Sequence, residues 1–350
     1  MQKKLLITYD HELFLGKRSG HAEFCMLRPA TELLNVMAPY DIKAIFFVDT
    51  TYLLRLKEQA AVSRSCAEDL SNITKQLNEM VAKGHYVFPH IHPHWLDARY
   101  DEATHNWELS DVSKYRFHKI SHDDRDRIFT GSVNLLKDIF REKHPEYKVN
   151  GYRAGGWCIQ PFSDFKPFFE KAGIAYDFSV LSGFFQFTDA QYFDFSEAPT
   201  EHIYRFSDDI CKADVNGPFT QYSIDSVNIS AATQLLNKVW IKYLYKIKKD
   251  HTFNRGSGQP SHNLPDMKPT SSKGIELGTG NMERIAVESL TTLKLNAYLD
   301  HLNKGSYMHF LSHPKMITKH NLEVFAEFLR KAFKRHDIET DFMKMKPTMN

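Results

Sequence analysis

The sequence predicts an α/β protein built on a parallel sheet, with a (β/α) barrel as the first architecture and an open doubly wound sheet as the second. Three observations carry that prediction. Short apolar runs alternate with amphipathic stretches along the whole chain. Those runs are continuous rather than alternating with polar residues, as befits strands covered on both faces. A length of 350 residues also suits one barrel-type domain with insertions.

Leu5 to Tyr9 reads as the first strand, Thr31 to Ala38 as a helix, and Lys43 to Val48 as a second strand. Leu70 to Ala82 has helical spacing, Tyr86 to Ile91 is a strand, and Asp124 to Glu142 is a helix whose acidic start suits its positive dipole end. Strand Val149 to Arg153, helix Phe162 to Ala172 and strand Ile174 to Val180 follow, with extended pieces at Ile203 to Phe206 and Phe219 to Ile224. The closing part gives helices Ala231 to Lys249 and Met282 to Asn303, strand Ser306 to Leu311 and helix Asn321 to Arg335. Residues 1–340 are expected to form a single catalytic domain, with a mobile or disordered loop at 250–280 and a tail at 341–350.

Composition excludes several classes. Basic and acidic residues nearly balance, 45 against 43, so no overall field is expected to hold nucleic acid or an anionic membrane. Lys246, Lys248 and Lys249 read as a solvated helix end. Cys25, Cys66, Cys158 and Cys211 are widely spaced, which disfavours a disulfide framework or a Cys-rich zinc site, and Cys158 reads as buried packing. The first ten residues are too polar for a secretory signal and no transmembrane run occurs, so a cytoplasmic location is expected.

The segment from Gly84 to Trp95 places His85, His90, His92 and His94 behind an apolar run. Neutral imidazole is the commonest side-chain metal ligand. Pro93 prevents a regular helix through the pair His90 and His94, which puts the rings on a loop leaving a strand. In parallel α/β folds the carboxyl ends of strands share one face. Polar clusters fall at four such ends: Thr8-Tyr9-Asp10-His11-Glu12, His90 to His94, Arg153-Ala154-Gly155-Gly156-Trp157, and Leu311-Ser312-His313. Carboxylate, imidazoles, guanidinium and a further imidazole form the inventory of metal-assisted hydrolysis.

The order Thr-Tyr-Asp, His-x-x-x-His, Arg-Ala-Gly-Gly-Trp and Leu-Ser-His resembles the polysaccharide deacetylases, the fourth carbohydrate esterase family, over roughly residues 5 to 315. The resemblance implies a distorted (β/α)7 barrel and removal of acetyl groups from N- or O-acetylated sugars with a divalent metal, zinc first. It makes Asp10 the catalytic base, Arg153 the residue orienting it, His313 the general acid, and His90 and His94 metal ligands. Leu311 would line the acetyl pocket, and Asp177 falls where the family often has an acid near a later strand end, which would either orient His313 or serve as a helix cap or surface salt bridge. The implied substrate is an acetylated saccharide or glycan precursor.

The first motif departs from the family where a second Asp, a metal ligand, is replaced by His11. Strand alternation puts Asp10 and Glu12 on one side and His11 on the other, so Glu12 is the favoured third ligand and His11 the second choice. His92 either contacts substrate or faces away, His85 is structural, and Trp95 and Trp157 are candidate stacking platforms for sugar. The departure keeps two further readings open, a hydrolase of a non-sugar C–N bond and an inactive carbohydrate-binding homologue.

Overall fold

The computed structural model describes residues 2–260, 264, 267 and 281–347. In chain order, β1 (Lys3–His11), α1 (Arg28–Met37), β2 (Ile45–Asp49), α2 (Thr50–Gln59), α3 (Arg64–Ala82) and β3 (Tyr86–Ile91) open the fold. A hairpin of β4 (Arg99–Asp101) and β5 (Asn106–Glu108) precedes α4 (His122–Phe140), β6 (Gly151–Ala154), α5 (Lys166–Ala172) and β7 (Tyr176–Asp177). A second hairpin joins β8 (Phe185–Phe187) and β9 (Tyr192–Asp194), followed by β10 (Ile203–Phe206), β11 (Phe219–Tyr222) and β12 (Ser226–Asn228). Helix α6 (Ala231–Lys246), β13 (Met282–Arg284), α7 (Leu295–Lys304), β14 (Tyr307–Ser312), α8 (Lys319–Arg335) and β15 (Ile338–Glu339) complete it.

The main sheet runs β10-β11-β7-β6-β3-β2-β1-β14, with β15 also on β1. From β11 through β14 every neighbouring pair is parallel, while β10 is antiparallel to β11. Those seven parallel strands are the wall of a distorted barrel, as expected. Between β14 and β11 no ladder forms among the described residues. Irregular chain fills the seam: Leu311 N donates to Ile285 O at 3.0 Å, and Ile285 N donates to Asp225 O at 3.0 Å. Tyr307 Oη reaches across to Ser223 O at 2.9 Å.

Alternation along the strands sorts the core. Leu6, Ile45, Phe47, Phe88 and Phe178 fill the barrel interior, while Leu5, Ile7, Tyr9, Phe46 and Val87 pack outward under the helices. The helices begin where the sequence supplies caps. Asp49, ending β2, accepts from Tyr52 N at the start of α2, and Thr318 and Asn321 form a reciprocal capping box on α8.

Three sequence expectations change. The helix expected over Met282 to Asn303 is confined to Leu295–Lys304, because Met282–Arg284 pairs with β12 and the apolar Ile285, Ala286 and Val287 are buried along the seam. The expected tail from residue 341 instead plugs the barrel bottom. Phe342 and Met345 are buried among Tyr86, Phe88 and Phe178, and Tyr222 Oη donates to the carbonyls of both. The loop expected at 250–280 falls largely outside the described residues, and its described start is tied down, with Thr252 bridging Thr318 and Gly258 bridging Ser19.

Candidate active site

The carboxyl ends of β1, β3, β6 and β14 converge on one cavity of about 770 Å³ that Asp10, Glu12, His90, His92 and His313 all line. In β1 the residues Leu6, Thr8 and Asp10 face inward, and Glu12 continues that side one step past the strand end. His11 points outward against the Phe46 ring; neither of its nitrogens has a partner, and burial pushes its pKa down to about 3. It does not line the cavity, so the choice between Glu12 and His11 goes geometrically to Glu12.

On β3 the same period of two decides which histidines meet. His90 is paired in register with Arg153, and His92, still extended at φ −113° and ψ 95°, projects to the same side. Their Nε2 atoms lie 3.0 Å apart. The short turn Pro93–Asp97 then carries His94 away: it stacks on Tyr115 at 5.2 Å, both ring nitrogens lack partners, and burial holds its pKa well below the usual value. The spacing of four pointed to His94, but the chain stays extended one residue beyond the strand, and it is His92 that shares the cavity with His90. Glycine at 155 makes room, since a Cβ there would sit 2.3 Å from Ile91 O and 2.7 Å from His92 Nδ1.

The donors are arranged as a metal would need. His90 Nδ1 lies 2.9 Å from Arg153 O, a group that can only accept, so Nδ1 carries the proton and Nε2 presents its lone pair. Lys315 donates to Glu12 Oε1 at 2.8 Å and to Leu13 O at 2.7 Å. Glu12 Oε2 is left buried without a hydrogen bond, 3.0 Å from His92 Nε2 and 3.6 Å from His90 Nε2. One atom from each of Glu12, His90 and His92 lies within 4.8 Å of the other two, a set of two imidazoles and a carboxylate that fits a divalent ion. Burial opposes ionisation of Glu12, but Lys315 and His92 reverse this and hold its carboxyl well below the usual range.

Arg153 is fully buried and crosses the barrel from β6 to β1. Nη1 donates to Asp10 Oδ1 at 2.7 Å, Nη2 to Thr8 Oγ1 at 2.8 Å, and Nε to Phe178 O at 2.9 Å, with the guanidinium 4.1 Å above the Phe47 ring. Burial alone would raise the Asp10 carboxyl, but Arg153, His90 and His313 outweigh it and keep the pKa below normal. Asp10 therefore stands as an ionised acceptor, with Oδ2 facing His90 Nε2 at 3.8 Å and His313 Nε2 at 3.6 Å.

The partner of His313 is not the one the sequence suggested. Asp177 accepts from Ser179 N at 2.7 Å and Ser179 Oγ at 3.0 Å on the far side of Arg153, where burial pushes its pKa up to about 7. Glu288 takes the orienting position instead, its Oε1 lying 2.9 Å from His313 Nδ1. Burial would raise the Glu288 carboxyl, but Arg284, in salt-bridge contact at 3.0 Å, and His313 bring it down to about 2. Glu288 escaped sequence reading because it lies in the seam segment read as helix. Its spacing of four from Arg284 was the available signal.

Of the proposed sugar contacts, His92 and Trp157 line the cavity, Trp157 half-buried and packed edge-on to Phe193. Trp95 is wholly buried, donates Nε1 to Asp49 at 2.6 Å and packs against Tyr52, so it is a core residue. Leu311 is wholly buried in the core and does not line the cavity. Cys158 is buried and its thiol pushed up to about 12, the state of an unreactive packing residue. His85 accepts from Ala44 N at 3.2 Å, a structural contact.

No protein-family model and no curated protein matches the chain. Among solved structures it is similar over its full length to a protein described as a polysaccharide deacetylase from Mycobacterium smegmatis, at 13% identity and a TM-score of 0.48, covering 100% of this chain and 95% of that one. A polysaccharide deacetylase from Bacillus cereus matches at 12% identity and a TM-score of 0.39, over 97% of this chain and 91% of that one. An allantoinase matches at 11% identity and a TM-score of 0.45, over 97% and 86%. Each is a likeness of fold.

Proposed function

We propose that this chain is a metal-dependent hydrolase that removes an acetyl group from an N- or O-acetylated sugar in a glycan or glycan precursor. The observation that carries this reading is the convergence of Glu12, His90 and His92 on one point, between the Asp10–Arg153 pair and the His313–Glu288 pair, on a single cavity. Zinc is the expected ion, since two imidazoles and one carboxylate are among its common donor sets. When bound, such an ion lowers the pKa of water and polarises the acetyl carbonyl.

The protein's own groups perform the proton transfers. Asp10, held ionised by Arg153, accepts a proton from the attacking water. Water oxygen bonds to the carbonyl carbon, and the bond to the sugar nitrogen or oxygen breaks as His313 Nε2 donates to it, giving acetate and the free amine or hydroxyl. Glu288 fixes the ring by holding Nδ1 and offsets the charge of the protonated imidazole. The cavity is far larger than an acetyl group, and Trp157 offers a ring face at its wall.

Acetate release from N-acetylated oligosaccharides and nucleotide-linked N-acetyl sugars, with and without chelator, tests this reading. Release that stops on chelation, returns with zinc and is absent in Asp10→Asn is the expected result. A chain that takes up no metal under any loading condition and releases no acetate would overturn it.

A further inference from the structure

Helix α6 is fastened to the barrel along one narrow edge, where Asn237 and Leu244 are its buried residues and Asn237 Oδ1 accepts from Thr291 Oγ1 at 2.6 Å. Among the described residues nothing packs on its opposite side. Leu235, Leu236, Val239 and Tyr243, with Ile247 just beyond, are each between 37% and 66% exposed. At 3.6 residues per turn they fall within an arc of roughly 120°, with Ile241 and Tyr245 exposed outside it. Lys238, Lys242 and Lys246 form a row along one border of that arc, and Lys248 and Lys249 follow the helix end. Between residues 230 and 249 there is no acidic residue.

We propose that this face of α6 docks onto an anionic phospholipid surface. A broad apolar arc, aromatic residues and a bordering row of lysines are what a helix lying in the headgroup plane requires. Self-association fits the charge less well, because two such faces would bring lysines together with no acid on either helix to pair them. Gln234, Asn237 and Lys238 of the same helix line the cavity, so the docked helix is also one wall of the site. Combined with the hydrolase reading above, on which this clause rests, the substrate becomes an acetylated saccharide carried on a lipid.

Co-sedimentation of the full chain with vesicles of phosphatidylcholine, with and without phosphatidylglycerol, tests the docking apart from any activity. Binding should require phosphatidylglycerol and weaken as salt rises. Lys242→Glu, Lys246→Glu and Lys248→Glu combined should lower the apparent affinity about 100-fold or more. Leu236→Ser, Val239→Ser and Tyr243→Ser combined should abolish it, with the melting temperature of both variants near that of the parent. The proposal is overturned if the parent stays in the supernatant with anionic vesicles, if neither variant alters binding, or if the apolar variant instead converts a dimer to a monomer by light scattering. Vesicle binding without acetate release would leave docking standing and remove the hydrolase reading alone.

Discussion

Arg153 and Asp10 form a buried ion pair, Nη1 to Oδ1 at 2.7 Å, with the guanidinium wholly enclosed and stacked on Phe47. Removing one charge strands the other in the barrel. Arg153→Met is expected to destabilise the fold by about 3–5 kcal/mol in urea unfolding. Arg153→Lys keeps charge but loses the fork that also holds Thr8 and Phe178, so its Asp10 should rise in pKa and the acid limb of activity should move to higher pH.

Metal content separates the histidines. Glu12→Ala and His92→Ala are expected to lose bound zinc, measured by elemental analysis after dialysis, while His11→Ala and His94→Ala retain it. His94→Ala should cost about 1–3 kcal/mol of stability through lost packing on Tyr115. Retention of zinc in His92→Ala together with its loss in His94→Ala would restore the spacing of four as the ligand pattern.

Glu288 is expected to act on the rate. Glu288→Gln removes the carboxylate at His313 Nδ1 and should lower kcat on the order of 100-fold with little change in KM. Asp177→Asn, which touches Ser179 rather than His313, should leave kcat within a few-fold of the parent.

Asp177 also sets a pH dependence of stability. Its pKa in the folded chain is about 7, well above that of a free carboxyl, so the folded state holds a proton that the unfolded chain has released. That contribution is present below the unfolded pKa and is lost as pH rises toward 7. Asp177→Asn should therefore flatten the decline in stability between about pH 4 and 7, a difference of a few kcal/mol in denaturant midpoints converted to free energy. Parallel curves for parent and variant would contradict the elevated pKa.

What the sequence made legible followed from period and order. Four strand ends, at Asp10, His90, Arg153 and His313 in chain order, pointed to the barrel and to residues the fold brings together, because a parallel strand delivers its last residue to a fixed face. Pattern and geometry part where chain conformation outran the period. His92 rather than His94 meets His90 because extended geometry continues past the last ladder bond before Pro93 takes effect. Glu288 and the seam were hidden because an apolar run buried between strand edges has no period of its own. Phe342 looked like the start of a tail because a single aromatic residue that plugs a barrel leaves no local signature.

Strands β12 and β13 pair antiparallel at the two ends of the stretch that carries α6, and Ile229 N extends the ladder by donating to Asn281 O at 2.8 Å. The chain thus leaves the barrel and re-enters it through one stem. What is described between its ends is tied back to the fold, Asn237 to Thr291, Asn254 to the carbonyl of Lys315 and Gln259 to the carbonyl of Arg18, so a change in that stretch reaches the cavity wall before it reaches a barrel strand.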